Sequence, residues 1–107
     1  MPVVLAHAGI AQYELAIQLA QRHEQVSLEI SGQPAQHIRQ ALDALGAERL
    51  LFGSDWPFWN QRHALRAVRD AADGDVAVEE AIFSANAARL LQLDRQYMAI
   101  KRMIPFL

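Results

Sequence analysis

The sequence predicts an α/β fold built on a parallel sheet of about three strands,. Two observations carry that expectation. Short apolar, β-branched runs alternate with longer stretches of helical periodicity, in the order strand, helix, strand, helix, strand, helix, helix,. The strands recur at a spacing of about 23 to 25 residues, which leaves room for one crossover helix between each pair and so for right-handed βαβ units,. With 107 residues, 52% of them apolar and 21% charged, the chain is globular and large enough for one core,.

Pro2 to Ala6 reads as the first buried strand, with His7 delivered at its carboxyl end and Gly9 allowing the chain to turn,. From Ile10 to Arg22 the stripe Ile10, Tyr13, Ile17 and Ala20, widened by Ala16 and Leu19, predicts an amphipathic helix,. Val26 to Ile30 alternates, with Val26, Leu28 and Ile30 on one face and Ser27 and Glu29 on the other,. If the sheet curls into a barrel, Glu29 points inward, where such an acid is more often paired or solvated than reactive. Ser31 to Pro34 is turn chemistry, and Pro34 suits the first position of a helix running to about Leu45, with Gly46 as its left-handed cap,.

Leu50 to Ser54 reads as a central strand covered on both faces,. Pro57 forbids further ladder pairing and pushes Trp56 towards an extended backbone, so the chain leaves the sheet directly after Asp55,. Asn60 caps a third helix whose buried face is Ala64, Leu65, Val68 and Ala72, closed by Asp73-Gly74-Asp75,. A last strong helix starts near Val78. Its stripe of Ile82, Phe83, Ala87, Leu90 and Leu91 is interrupted by Asn86, which needs a backbone partner from a neighbouring loop,. Residues 1–93 thus form the folded domain. Residues 94–107 form an apolar tail, with Tyr97, Met98, Ile100, Met103, Ile104, Phe106 and Leu107, suited to packing or an oligomer contact,.

Composition excludes several functions. The net charge of -2 has no block of like charge, which argues against broad attraction to nucleic acid or an anionic membrane,. The absence of cysteine removes disulfides, thiolate nucleophiles and thiolate metal ligands, so a metal would need His and carboxylate donors,. No apolar run approaches the roughly 18 residues of a membrane span, and no secretion signal is evident, so cytoplasmic residence is the default,. The tail, positive from Arg95 onward, permits a weaker reading as a membrane-surface segment,.

His7 and Asp55 end parallel strands separated by one other strand, so they face the same rim,. Together they suit a divalent ion or a proton transfer. Two ligands are fewer than catalytic zinc takes, which is about three protein ligands plus water. Asp55 serves equally as the cap of a turn, with Trp56 and Phe58 packed as core,. His23 falls on the opposite rim, His37 reads as solvated in the first turn of a helix, and His63 reads as surface close to Asp55. No His-x-His, His-Glu-x-x-His, dinucleotide fingerprint, P-loop or Gly-x-Ser-x-Gly occurs,.

The string Gly46 to Phe58 (GAERLLFGSDWPF), with Leu5 to Gly9 (LAHAG) and Ile82 to Leu91 (IFSANAARLL), resembles the carboxy-terminal portion of amidohydrolase-2-type metal-dependent hydrolases. These are (βα)8 barrels of the wider amidohydrolase superfamily and include lactone hydrolases and decarboxylases of aromatic acids. The resemblance covers about Val3 to Leu93 and preserves the order and spacing of the motifs. It implies a partial barrel with equivalents of strands six to eight, flanking helices, a C-terminal helix and the tail. Asp55 would then stand at the eighth strand as a metal ligand and proton acceptor. His7 would end the sixth strand and assist proton transfer, Trp56 and Phe58 would line the pocket mouth, and Asn86 would hold the final helix to the barrel. Zinc or manganese is the implied cofactor, and hydrolysis of a lactone, amide or ester, or decarboxylation, the implied reaction.

The first-strand His-x-His and the fifth-strand histidine of the family are absent from this sequence. Three strands also cannot close a barrel, so their edges need a missing N-terminal half-barrel or a second copy. The expectation is therefore a fragment or truncated family member that is not catalytic alone. The competing reading is a non-catalytic α/β module for oligomerisation or small-molecule binding.

Overall fold

The computed structural model describes residues 1–104, apart from the side chains of Asp94 and Tyr97. Three parallel strands, β1 (Val3–Leu5), β2 (Val26–Glu29) and β3 (Leu50–Leu51), form one sheet in that order. Leu5 pairs with Leu28 and Leu28 with Leu50, while Glu29 pairs with Leu51. Because paired residues share a face, Leu28 and Leu50 project into the helical layer, where both are fully buried beside Ile38, Val68 and Ile82,. Glu29 lies on the opposite face, as the alternation in β2 requires.

The strands are shorter than the apolar runs that define them. β1 stops at Leu5 because the backbone turns left-handed at His7, and β3 stops at Leu51 because the Phe52 N–H is taken by the Ile82 carbonyl at 3.1 Å. Ile30 still continues the ladder beyond β2, donating its N–H to the Leu51 carbonyl at 3.0 Å.

The helices follow the expected order with shifted ends. α1 spans Tyr13–Arg22 and does not begin at Ile10, since His7, Ala8, Gly9 and Ile10 all have positive φ. α2 spans Ala35–Leu45, and the Gly46 N–H closes it on the Leu42 carbonyl at 2.9 Å. Gly46 has φ 85° and ψ 162°, an extended left-handed conformation open essentially to glycine alone, in place of the helical left-handed cap expected,. α3 spans Gln61–Ala72 and is capped as expected, with the Asn60 side chain accepting from the Arg62 N–H at 2.8 Å. Its buried residues are Val68, Ala71 and Ala72, while Ala64 and Leu65 are half-buried.

The last strong helix begins at Val76, two residues early, because Asp75 accepts from the Val78 N–H and supplies the cap,. It continues as α4 (Val76–Glu80), a π-helical turn (Ala81–Ala85) and α5 (Asn86–Leu90). Asn86 is 2% exposed and donates its amide to the Ala47 and Leu50 carbonyls, at 2.6 and 2.7 Å, so it ties α5 to the entry of β3.

α6 (Asp94–Met103) lies within the apolar tail and is joined to α4 by Lys101 and Glu80. Met98, Ile100 and Met103 are exposed, and Phe106 and Leu107 lie outside the described residues. No helix among the described residues is long and apolar enough to cross a membrane.

Removing the Asn86 amide would strip the buried Leu50 carbonyl of this partner and leave the half-buried Ala47 carbonyl only the Leu50 N–H, so Asn86→Ala is expected to lower unfolding free energy by about 1–3 kcal/mol. Urea denaturation followed by circular dichroism would measure it, and a loss under about 0.5 kcal/mol would contradict the tie.

Candidate functional site

The carboxyl end of the sheet carries the candidate residues, because parallel strands all end on one rim,. His7 follows β1 and Asp55 follows β3, and the His7 Nε2 and Asp55 Oδ2 atoms come to 3.8 Å. The side chains are about one-third exposed, at 31% and 38%. Both residues sit in the left-handed region, His7 at φ 55° and Asp55 at φ 57°. Non-glycine residues pay of order 1–3 kcal/mol there, and such strain persists where surrounding bonds over-determine it.

For His7 those bonds come from β2 and the loop that follows it. Gln33, which is buried, donates its amide to the His7 carbonyl at 2.7 Å and to the Ile10 carbonyl at 3.0 Å, clamping the left-handed turn. His37 Nδ1 meets the Gln33 amide oxygen at 2.7 Å, and its ring stacks on Tyr13 with centroids 3.6 Å apart. The expectation of a solvated His37 is therefore corrected, because the stack and the Gln33 bond hold it half-buried. Partial burial, then the Glu14 carboxylate, push the Tyr13 phenol above its usual value.

Glu29 is paired, as an inward-facing acid commonly is. Its carboxylate accepts the Ser31 N–H and the Ser31 hydroxyl, the latter at 2.8 Å, and Ser31 Oγ lies 2.7 Å from His7 Nδ1. Gly53 makes room for this cluster. A Cβ there would fall 2.6 Å from Glu29 Oε2, so close backbone approach explains this glycine,.

A cavity of about 460 Å³ opens beside the pair. His7, Asp55, His37, Phe58 and Trp59 line it, so Phe58 joins the candidate pair. Trp56 does not. It lines a separate open depression with Arg62, Leu65 and Arg69. Trp56 and Phe58 are 67% and 82% exposed, which overturns the alternative that they pack as core. The turn after β3 closes on the Asp55 carbonyl, which accepts the Phe58 N–H at 3.0 Å, while the Trp56 N–H is taken by Ser54 Oγ at 3.2 Å. His63 is exposed and lines an adjoining cavity of about 140 Å³, and His23 is exposed with its carbonyl bonded to Arg49.

Sequence reasoning missed Ser31, Gln33, Gly53 and Trp59. Extending the alternation Ser27, Glu29 by one step would have placed Ser31 on the same face,. Gln33 gave no such signal, since the carbonyls that take its amide N–H groups lie more than twenty residues away.

The donor set fits a metal only in part. At 3.8 Å, His7 and Asp55 can both reach one ion at ligand distances of about 2.0–2.2 Å,. Among the described residues, however, no group of three or more His, Cys, Asp and Glu gathers that could hold an ion. What these residues can do unaided is hold and move a proton between a ring nitrogen and a carboxylate.

Comparison with known proteins gives the family and the architecture. A family model described as amidohydrolase matches residues 1–93. A 51-residue stretch is 47% identical to gamma-resorcylate decarboxylase of Rhodococcus jostii, covering 48% of this chain and 15% of that enzyme. The crystal structure of 2,6-dihydroxybenzoate decarboxylase from Rhizobium aligns with TM-score 0.70 and 25% identity, covering 87% of this chain and 35% of that one. An amidohydrolase from Burkholderia multivorans aligns with TM-score 0.66 and 27% identity, covering 82% and 43%. The three-stranded sheet is thus a portion of a TIM-barrel architecture, and the chain spans about a third of the length of the Rhizobium structure.

Gly53→Ala is expected to destabilise the fold by about 1–3 kcal/mol through the clash with Glu29,. Thermal melts should show part of that loss recovered in the Gly53→Ala/Glu29→Ala double variant. Strict additivity of the two single changes would place Glu29 elsewhere.

Proposed function

This chain belongs to the amidohydrolase family, and on that basis we propose that it supplies the Asp55 and His7 side of a metal-dependent active site that decarboxylates an aromatic acid. The observation that carries the reading is the convergence of His7 Nε2 and Asp55 Oδ2 beside a cavity flanked by Phe58 and Trp59. The names of the relatives support the reaction, since two of them are decarboxylases of dihydroxylated benzoates. Hydrolysis of a lactone, amide or ester is the alternative within the same family, and it would use the same pair to take a proton from water.

Decarboxylation asks for a proton at the ring carbon that loses its carboxylate. The carbon–carbon bond breaks, carbon dioxide leaves, and the electron pair left on the ring takes the proton. The His7–Asp55 pair stands at the cavity wall to hold and deliver it, while Phe58 and Trp59 offer faces for an aromatic ring,. A divalent metal, zinc or manganese, would supply charge stabilisation, with Asp55 as the proposed ligand from this chain. The other ligands must come from residues outside these, on the remaining strands of a closed barrel.

The test is metal content and turnover. The chain alone is expected to hold zinc or manganese well below one ion per chain. Co-expression with a polypeptide carrying the complementary barrel strands and a His-x-His is expected to restore stoichiometric metal and decarboxylation of 2,6-dihydroxybenzoate. In that assembly Asp55→Asn should reduce turnover by at least about 100-fold. Unchanged metal and turnover in Asp55→Asn would overturn the reading and favour a non-catalytic binding module.

The same proposal covers assembly. Val3 and Val4 of β1 are 40% and 42% exposed at a sheet edge, which suits pairing with another strand,. In the absence of a complementary half-barrel, a second copy is the proposed partner. Multi-angle light scattering should return a dimer or larger species, and a monodisperse monomer would contradict it.

A further inference from the structure

The side of His7 facing away from Asp55 is governed by Glu29 and Ser31. Glu29 Oε2 accepts the Ser31 backbone N–H, and Oε1 accepts the Ser31 hydroxyl at 2.8 Å and the His7 backbone N–H at 3.4 Å. An ionised carboxylate accepts hydrogen bonds and donates none. A serine hydroxyl has a single proton, and here it is committed to Glu29. Towards His7 Nδ1, 2.7 Å away, Ser31 Oγ can therefore only accept,. Ser31 is 2% exposed, so solvent does not compete for the hydroxyl.

We propose that Glu29, acting through Ser31, is a positioning residue that fixes neutral His7 as the Nδ1–H tautomer and leaves the Nε2 lone pair facing Asp55 and the cavity. Free imidazole side chains in water favour the opposite tautomer, so the bias is imposed by the protein. The consequence is directional. With its lone pair on the cavity side, neutral His7 must take up a proton there before it can deliver one as the imidazolium, whereas the reversed hydroxyl would present an Nε2–H from the outset. The arrangement also explains why a carboxylate occupies position 29. Its two oxygens take a fixed backbone N–H and a rotatable hydroxyl at once, and Gly53 leaves space for them.

The catalytic meaning of this inference rests on the proposed function, but the tautomer itself is read on the full chain without metal or substrate. Nitrogen-15 labelled histidine and two-bond proton–nitrogen correlation spectra at alkaline pH distinguish a protonated, pyrrole-type ring nitrogen from a bare, pyridine-type one. His7 would be assigned by loss of its signals in His7→Gln. The expected wild-type pattern is pyrrole-type Nδ1 and pyridine-type Nε2.

In Glu29→Gln, the Ser31 backbone N–H keeps the carboxamide oxygen, so the amide NH2 faces Ser31 Oγ and turns the hydroxyl towards Nδ1. The pattern should then reverse, with Nδ1 moving from the pyrrole to the pyridine range. Ser31→Ala should give an averaged pattern weighted to Nε2–H. A pyridine-type Nδ1 in the wild type overturns the proposal and needs no variant to fold. An Nδ1–H pattern that persists in both Glu29→Gln and Ser31→Ala overturns it as well. If the expected tautomer is found while the complemented assembly shows neither metal nor turnover, the functional reading fails alone. If turnover depends on Asp55 while wild-type His7 carries its proton on Nε2, this inference fails alone.

Discussion

In β2, Leu28 projects into the helical layer while Glu29, one residue later, lies on the opposite face and reaches Ser31 and the His7 backbone. A slip of one residue in the pairing of β2 would exchange these faces, driving a carboxylate into an apolar core and lifting a leucine out of it. The separation of core from chemistry therefore rests on the period of two in the middle strand. Its neighbours on both sides take their register from it, Leu5 and Leu50 both lying level with Leu28. The residues after β1 and β3 consequently arrive at the same rim. No motif in the sequence states that His7 and Asp55 meet. Their meeting follows from parallel pairing through β2.

Much of this was legible in the sequence because it depends on local signals. The strand and helix order, the Asn60 cap and the need of Asn86 for backbone partners all follow from residues within a turn or two of one another. The shared rim of His7 and Asp55 was legible too, through the rule that alternating strands and helices pair in parallel. What escaped was non-local. Ile10 reads as the start of a helix by its apolar spacing, yet the chain from His7 to Ile10 stays left-handed where Gln33, far along the chain, holds the His7 and Ile10 carbonyls. Leu50 to Ser54 looks like a full strand, but Ile82 captures the Phe52 N–H and ends it early. Local pattern could not separate Trp56 from Trp59 either, since the turn after Asp55 decides which of them reaches the cavity.

The two rims of the sheet are fastened differently. On the rim away from His7 and Asp55, Arg49 donates to the Ala20, His23 and Val26 carbonyls and binds the end of α1 to the start of β2. Asn86 adds its bonds to the Ala47 and Leu50 carbonyls near the entry of β3. These groups join backbone to backbone, and they stabilise the fold without touching the candidate site. On the other rim the polar groups meet ring nitrogens and carboxylates, and both His7 and Asp55 stay partly open to solvent. This division matches the general pattern of α/β barrels, in which one end of the strands holds the structure and the other bears ligand chemistry.

Gln33 uses both ends of its amide, the NH2 on the His7 and Ile10 carbonyls and the oxygen on His37. A glutamate of the same shape would aim an oxygen at two carbonyl oxygens, and a leucine would leave all three partners unmatched. The position is thus readable by one side chain, although it carries no charge and performs no reaction. The Asp55 side chain, by contrast, could change and leave the bond from the Phe58 N–H to the residue 55 carbonyl in place. Among descendants of this sequence, the carboxylate at position 55 can be lost before the glutamine that shapes the turn beside it.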